Sequence, residues 1–251
     1  MSVASSALFI SDLHLCPTRP RIARLFLDFL SDQARRVEAL YILGDLFDYW
    51  VGDDTLDDPA EPFNAAICAA LKQLSDSGTR LFFIAGNRDF LAGPGFASAS
   101  GASLLAEPQL VDIAGTPTLL LHGDTLCTDD LAYQEFRATV RTDAWRKAFL
   151  AQPLTARKNR IEALRRESEH EKQGKSAAIM DVNAEAVAAA LRSHGYPRII
   201  HGHTHRPAQH AHELDGHVCA RWVLGDWYDS GSYLQCDESG CRALALSLAP
   251  P

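Results

Sequence analysis

Six short apolar runs punctuate this chain, and five of them stop at side chains able to hold a metal ion. Ala7–Ile10 leads into Ser11-Asp12-Leu13-His14, and Leu40–Leu43 into Gly44-Asp45-Leu46-Phe47-Asp48. Leu81–Ala85 leads into Gly86-Asn87-Arg88-Asp89, Thr118–Leu121 into His122-Gly123-Asp124, and Arg198–Ile200 into His201-Gly202-His203-Thr204-His205; the sixth run is Trp222–Leu224. Continuous apolar runs of this length predict strands buried on both faces. Between them lie helical patterns: Ile22–Gln33, with Leu25, Phe26 and Phe29, and Pro62–Ser75, with Phe63, Ile67, Leu71 and Leu74. A third, Ala184–Ser193, has Asn183 as N-cap and Gly195 and Pro197 just beyond its end. The fold class is α/β, a central sheet structure covered by helices. Because ligands collect at the carboxyl ends of strands in such folds, the five clusters are expected to converge in space.

The donor set is chemically coherent. Carboxylates, imidazoles and an amide oxygen, without a thiol, suit borderline to hard divalent ions such as Mn²⁺, Fe²⁺ or Zn²⁺. In Asp12-x-His14 and His203-x-His205, alternate residues face the same side of an extended segment, so both can address one ion. The ligands number about seven, too many for one ion; they fit two ions about 3.5–4 Å apart that share a carboxylate, as in hydrolytic attack on phosphorus. Each motif alone is commonplace: Gly-Asp is a common turn, Asn87 can be a turn residue, and three histidines can sit together on a surface. Their order, each behind a buried-strand pattern, carries the reading.

The segment from about 130 to 182 breaks the alternation. Asp129 or Asp130 is placed to cap a helix carrying Tyr133, Phe136, Val140, Trp145 and Phe149, and after Pro153 comes a polar helical stretch with Ile161 and Leu164 as its large apolar residues. Residues 137 to 175 hold eleven Lys/Arg against five Asp/Glu, within a chain of net charge −8. A basic segment in an acidic body suggests an anionic partner. The segment reads either as a solvated, salt-bridged surface hairpin or as a helical lid.

Six cysteines without a CxxC pair (Cys16, Cys68, Cys127, Cys219, Cys236, Cys241) read as reduced thiols in a cytosolic protein. No apolar stretch approaches the roughly 20 residues of a membrane helix. The N-terminus lacks the basic and long apolar regions of a signal peptide and reads as the first strand. Asp48 and Asp124 read as orienters of the ligands, and Asp226, in a further strand–Gly–Asp form, as a turn residue. His170, His194, His210, His212 and His217 read as surface residues.

The series Asp-x-His, Gly-Asp-x-x-Asp, Gly-Asn-x-Asp, a later His and Gly-His-x-His, from Asp12 to His205, resembles the calcineurin-like metallophosphoesterases. That resemblance implies a sandwich of two mixed β-sheets flanked by helices, here a single domain over 1–251 with 130–182 as a helical lid insertion. It implies two metals, one held by Asp12, His14, Asp45 and His205, the other by Asp45, Asn87, His122 and His203, with Asp45 bridging. Most of the superfamily has His where this chain has Arg88. With that substitution, and with Ser-Asp-Leu-His-Leu and His-Gly-His-Thr-His-Arg-Pro, the chain looks like the branch that cleaves the pyrophosphate of UDP-2,3-diacylglucosamine in lipid A synthesis. The expectations that follow are two Mn²⁺ ions (Fe²⁺, Zn²⁺ or Mg²⁺ as alternatives) and Asp45, Asn87, Arg88 and His122 as the catalytic group. Substrate contacts are expected from Asn87, Arg88, Asp130, Tyr133, Ser168, Lys172, Lys175 and His203, with Lys172 standing where the branch often has Asn. Products would be UMP and 2,3-diacylglucosamine 1-phosphate (lipid X), made by a monomer in peripheral contact with the anionic cytoplasmic face of the inner membrane, with no nucleic-acid partner.

Arg88 suits that reading on its own chemistry. A guanidinium grips two phosphate oxygens at once but cannot protonate a leaving group near neutral pH. A phosphate leaving a pyrophosphate needs charge neutralised more than a proton. The competing assignment for Arg88 is a structural salt bridge to Asp89 or another carboxylate. Within the insertion, Tyr133, Phe136, Trp145, Phe149 and Leu150 are candidates to line a slot for acyl chains. Arg157, Lys158, Arg160, Arg165, Arg166, Lys172 and Lys175 form a basic arm for phosphates or lipid headgroups. The alternative function is a metal-dependent nuclease or nucleotide phosphodiesterase, its backbone gripped by that arm; a non-enzymatic binding module is disfavoured by the intact ligand set.

Overall fold

The computed structural model describes residues 3–174, 179 and 181–247. In chain order its strands are β1 Val3–Ala4, β2 Ala7–Ile10, β3 Ala39–Leu43, β4 Arg80–Ile84, β5 Ala102–Leu104, β6 Gln109–Ile113, β7 Thr116–Leu120, β8 Arg198–His201, β9 Ala208–Leu214, β10 His217–Val223, β11 Gly231–Asp237 and β12 Gly240–Leu246. Among the described residues they form two six-stranded sheets, ordered β12-β11-β2-β3-β4-β5 and β1-β6-β7-β8-β10-β9. Both are mixed. In the first, β2 to β5 run parallel and the β11–β12 hairpin adds antiparallel to β2. In the second, β7, β8 and β10 are parallel, with β6 and β9 antiparallel at their flanks.

The continuous apolar runs are explained by what lies on either side of them. Ala7, Phe9, Tyr41, Leu43 and Ile84 face Val111, Leu120, Ile200 and Leu224 in a core between the sheets. Phe9, Tyr41 and Phe82 stack there in file across three strands, at 5.0 and 4.7 Å. The alternate residues Leu8, Ile10, Leu40, Ile42 and Phe83 face the helices α1 Pro20–Ser31, α2 Phe63–Asp76 and α3 Pro94–Ser100. On the far side, Leu119, Leu121 and Ile199 pack on Val187 and Leu191. Each such large side chain contributes about 1.5–3 kcal/mol of burial.

Between β7 and β8 the chain leaves the sheets to form α4 Leu131–Val140, α5 Asp143–Leu150, α6 Leu154–Gly174 and then α7 Ala184–Ser193. Asn183 caps α7, accepting from the amides of Glu185 and Ala186 at 2.9 and 3.1 Å. Asp130 caps α4 through the Tyr133 amide at 3.2 Å.

Three expectations need correction. The aromatic helix expected after Asp130 is two helices: Thr142 accepts from the Trp145 amide and starts α5 as a new N-cap. Arg157 and Lys158 do not belong to a free basic arm. The Arg157 side chain is buried and its guanidinium binds the Asp54 carboxylate and the Val51 and Gln152 carbonyls, while Lys158 pairs with Asp58 and Glu61 at 2.8 Å each. They pin α6 to the body, Arg157 at the segment Asp53–Asp57 and Lys158 just beyond it. Finally, Cys236 and Cys241 are not reduced thiols: hairpin register sets them opposite each other on β11 and β12, and they form a disulfide. Cys16, Cys68, Cys127 and Cys219 are not disulfide-bonded.

Candidate metal centre

The loops that follow the strands are zipped to one another. Beyond β2, the amides of Asp12, His14 and Leu15 donate to the carbonyls of Gly44, Asp45 and Leu46 at 2.9–3.1 Å, so the first two motifs advance side by side. The Gly202 amide donates to the His122 carbonyl at 2.8 Å, and the Trp227 amide to the Asp12 carbonyl at 3.1 Å. These bonds bring together five segments that are remote in sequence.

The backbone is strained where the site is. Eight described non-glycine residues have positive φ, and five of them are Asp12, His14, Asp45, His203 and His205. Left-handed backbone is unfavourable for such residues and persists where surrounding bonds enforce it. Glycines give the close approaches: a Cβ on Gly86 would lie 2.2 Å from Asp45 Oδ1, and one on Gly202 2.3 Å from Asp12 Oδ2.

All seven predicted ligands meet in this strip. His205 Nε2 lies 3.3 Å from both Asp12 Oδ1 and His14 Nε2. Asn87 Oδ1 lies 3.0 Å from both His122 Nε2 and His203 Nδ1, which are themselves 3.2 Å apart. Asp45 stands between the two groups, 3.9 Å from His14 Nδ1 and 3.8 Å from His122 Nε2.

The surrounding bonds orient these donors. Asp12 Oδ2 accepts from Ser11 Oγ at 2.6 Å and the His203 amide at 2.9 Å, leaving Oδ1 buried, without a hydrogen bond and facing only His205 Nε2 among the described residues. His122 Nδ1 donates to the Leu43 carbonyl at 2.8 Å, which turns the Nε2 lone pair inward. Asp89, fully buried, accepts from the amides of Gly86, Leu46 and Asp45 at 2.8–3.2 Å and fastens the third motif to the second. Asp89 is therefore not committed to Arg88; among the described residues the Arg88 guanidinium, half-buried, has no ion-pair partner.

Electrostatics point the same way. Burial, with Asp89 and Asp12 close by, pushes the Asp45 carboxyl up to about 7 despite the pull of His122. Burial alone would lower His122, but Asp45, Asp12, Asp124 and Glu107 outweigh it and raise the imidazole to about 9. Burial depresses His14 to about 2. An excess of buried negative charge that draws a proton onto His122 will also draw a divalent cation. Asp12 Oδ1 and His14 Nδ1, buried without hydrogen bonds, and imidazole nitrogens gathered 3.2–3.3 Å apart fit two such ions.

Sequence reasoning missed three contributors. Asp226, expected as a turn residue, sets Oδ2 3.4 Å from His205 Nδ1, a carboxylate–histidine pair that fixes the ring. Arg19 donates to the carbonyls of Leu13, His14, Trp227 and Tyr228, clamping the first motif to the β10–β11 loop. Tyr228 lies against His14 and His205, with ring centroids 5.5 and 5.7 Å away. A repeat of the strand–Gly–Asp form at 224–226 was the signal available for Asp226; nothing in the sequence marked the other two.

Asp124 does less for the ligands than expected. It is buried and binds the Tyr133 hydroxyl at 2.6 Å and Arg137 Nε at 2.8 Å, so it anchors α4. Arg137 also reaches Glu107, whose other oxygen accepts from the His122 amide, at 2.8 and 2.7 Å. Tyr133 thereby lies beside His203, with centroids 5.8 Å apart. His201 is no surface residue; it is fully buried and accepts from Arg221 at 3.0 Å. The side chains of Ser168 and Lys172, and Lys175 as a whole, lie outside the described residues.

The insertion carries a cavity of about 650 Å³ between α4, α5 and α6, lined by Phe136, Trp145, Phe149, Arg160 and Leu164 among others. Tyr133 and Leu150, expected in such a slot, are not in its wall. Trp145 leads back from the cavity to Phe90, 6.0 Å away, and Arg141 lies over Phe90 and bonds the Gly86 carbonyl at 2.9 Å. The groove therefore adjoins the loop that bears Arg88.

Two mixed sheets with a metal-fitting strip along their carboxyl edge define a metal-dependent phosphoesterase, and the chain belongs to the calcineurin-like phosphoesterase family, whose signature it matches over residues 6–207. Its relatives narrow the class. It is 56% identical over 235 residues to the UDP-2,3-diacylglucosamine hydrolase of Aromatoleum aromaticum, covering 94% of each chain. It is 50% identical to the protein of that name from Stenotrophomonas maltophilia (94% and 96% covered) and 47% identical to that from Xanthomonas axonopodis pv. citri (97% and 100% covered).

Proposed function

We propose that this protein hydrolyses the pyrophosphate bond of UDP-2,3-diacylglucosamine in lipid A biosynthesis, with water attacking the α-phosphorus to release UMP and 2,3-diacylglucosamine 1-phosphate. The observation that carries the reading is the junction of two unlike surfaces: an apolar groove in the insertion reaches, through Trp145 and Phe90, the loop that bears Arg88, at the edge of a centre fitted to metals. A diacylated sugar diphosphate has this distribution of chemistry. The names of the relatives support it.

Asp12, His14, Asp45 and His205 would hold one divalent ion and Asp45, Asn87, His122 and His203 the other, with Mn²⁺ the proposed metal. When bound, the pair supplies Lewis acidity at phosphorus and acidifies a water. Arg88 binds the phosphoryl oxygens and neutralises the charge that grows on them. Arg137, through Asp124 and Glu107, holds α4 and the His122 loop in fixed relation. Asn87, Arg88, Asp130, Tyr133 and His203 are proposed substrate contacts, as are Ser168, Lys172 and Lys175. We read the chain as one domain with 130–182 as its lid.

Peripheral contact with the cytoplasmic face of the inner membrane belongs to the same proposal. Leu131 is 76% exposed and Phe136 41%, on the first turns of α4, with Leu150 and Ile179 also exposed beside a basic segment. Among the described residues no helix is long and apolar enough to cross a membrane.

Phosphorus NMR of the Mn²⁺-loaded protein with UDP-2,3-diacylglucosamine in detergent micelles and ¹⁸O-labelled water tests the reading. UMP carrying ¹⁸O, abolished by chelator, is the expected result. An untouched lipid alongside cleavage of a generic phosphodiester would refute the substrate and turn attention to the nuclease alternative, which has no use for the apolar groove.

A further inference from the structure

The two ends of the metal centre are built differently. At the His203 end, Tyr133 lies beside the ring, rooted in α4, the helix that also lines the apolar groove through Phe136. At the opposite end, Tyr228 lies beside His14 and His205. Its placement is enforced rather than incidental. The preceding residue, Trp227, is fully buried, packed edge-on against Phe26 and Phe29 at 6.1 and 5.7 Å, and its indole donates to the Ser232 carbonyl at 3.0 Å. Arg19 bonds the carbonyls of both Trp227 and Tyr228 and sets its guanidinium carbon 4.6 Å from the Tyr228 ring centre. A side chain held this firmly at the edge of a core is ordinarily covered. Tyr228 is instead 46% exposed, and its hydroxyl has no hydrogen-bond partner among the described residues.

A substrate whose diphosphate spans the centre must extend in both directions. If its apolar half follows α4 into the groove, its other half leaves past His14 and His205, where the half-exposed Tyr228 ring stands between Arg19 and His14. We propose that the Tyr228 ring contacts the nucleoside of the monophosphate half of the substrate and is what makes that end of the site hold a nucleotide better than bare phosphate. The proposal rests on the function proposed above. Rings hold nucleobases by stacking, which every base tolerates, and losing one such contact weakens binding by about tenfold or more. The ring, not the hydroxyl, is the contact, so phenylalanine is expected to replace it.

The test is equilibrium binding of UMP and, separately, of inorganic phosphate to the Mn²⁺-loaded full chain, for wild type, Tyr228→Ala and Tyr228→Phe, with metal content measured on each. Tyr228→Ala is expected to weaken UMP about tenfold or more, to leave phosphate affinity and metal content as in wild type, and to be rescued by Tyr228→Phe. Equal loss of UMP and phosphate, with metal lost, would show that Tyr228 merely supports His14 and His205 and would overturn the proposal. So would UMP affinity unchanged in Tyr228→Ala, or a phenylalanine variant as weak as alanine; each of these leaves the proposed reaction standing. Wild type that binds UMP no better than phosphate, and does not cleave UDP-2,3-diacylglucosamine, defeats both together.

Discussion

Gly86→Ala isolates the geometry of the metal centre without removing a single donor. The new methyl carbon would stand 2.2 Å from Asp45 Oδ1, 2.5 Å from the Asp45 amide nitrogen and 2.9 Å from its carboxyl carbon. Ordinary contact begins near 3.4 Å, so about 1.2 Å of separation must be found. Asp45 cannot easily yield it. Its φ is already positive, its amide is bonded to Asp89, and its Oδ1 accepts from the Arg88 amide at 2.8 Å. Metal–ligand distances tolerate only about 0.2 Å, so a displacement several times larger should detach the bridging carboxylate from at least one ion. Misplacement of about 1 Å costs on the order of a hundredfold in rate. Overpacking costs about 1–3 kcal/mol of stability, which at about 2–4 °C per kcal/mol for a chain of this size leaves a folded protein at assay temperature. The assay is metal stoichiometry after dialysis at fixed free Mn²⁺, alongside turnover and circular dichroism. Gly216→Ala is the control: its φ is +82°, with no neighbour within 4 Å of the added carbon, so it carries backbone strain alone. A Gly86→Ala protein that binds both ions with wild-type affinity and turns over normally would refute the claim that close backbone approach at Gly86 sets the position of Asp45.

Three further outcomes are expected. Arg88→Ala should lower turnover on the order of a hundredfold while keeping both ions, because the guanidinium serves the phosphoryl group and no described carboxylate; metal analysis beside kinetics separates this from a structural loss. Arg157→Ala should destabilise the chain by about 2 kcal/mol and expose α6 to proteases, since it removes the buried fork between Asp54 and the Val51 and Gln152 carbonyls; an unchanged thermal midpoint and proteolysis pattern would refute the anchoring role. Burial, with the Arg221 cation beside it, holds His201 near 4 rather than its ordinary 6.5, so the unfolded chain binds more protons between those values. That contribution is complete above pH 6.5 and is lost as pH falls toward 4, by about 3 kcal/mol; His201→Gln should flatten that part of the urea-unfolding profile, and an identical slope in wild type and variant counts against it.

How much of this was legible in the sequence follows from where each residue gets its role. Asp12, Asp45, Asn87, His122 and His203 take theirs from a position just past a strand buried on both faces, and such strands announce themselves as continuous apolar runs. Register within the parallel sheet then does the gathering. Asn183 likewise acts on its own helix, so its cap could be read locally. The hairpin β11–β12 and the edge strand β9 were missed because their faces are half open: β9 is largely exposed along its length and shows neither a continuous run nor a clean alternation. Cys236 and Cys241 were misread for the same reason, since only the hairpin register sets them face to face.

Arg157 and Tyr228 fail to show in the sequence for a different reason. Arg157 sits in a run of basic residues and differs from its neighbours only because Asp54, more than a hundred residues earlier, meets it across the body. Tyr228 gains its place from Arg19 and His14, on a loop more than two hundred residues away. Both are products of docking between segments, not of any local pattern. The metal centre is thus a property of the strands, whereas what surrounds it depends on how the insertion and the β10–β11 loop are fastened down. Substitutions of the ligands themselves at strand ends should therefore cost metal directly. Substitutions at Arg157, Arg137 or Tyr228 should leave the ions in place and change what the centre can hold, which is where related chains of the same fold have room to differ in substrate.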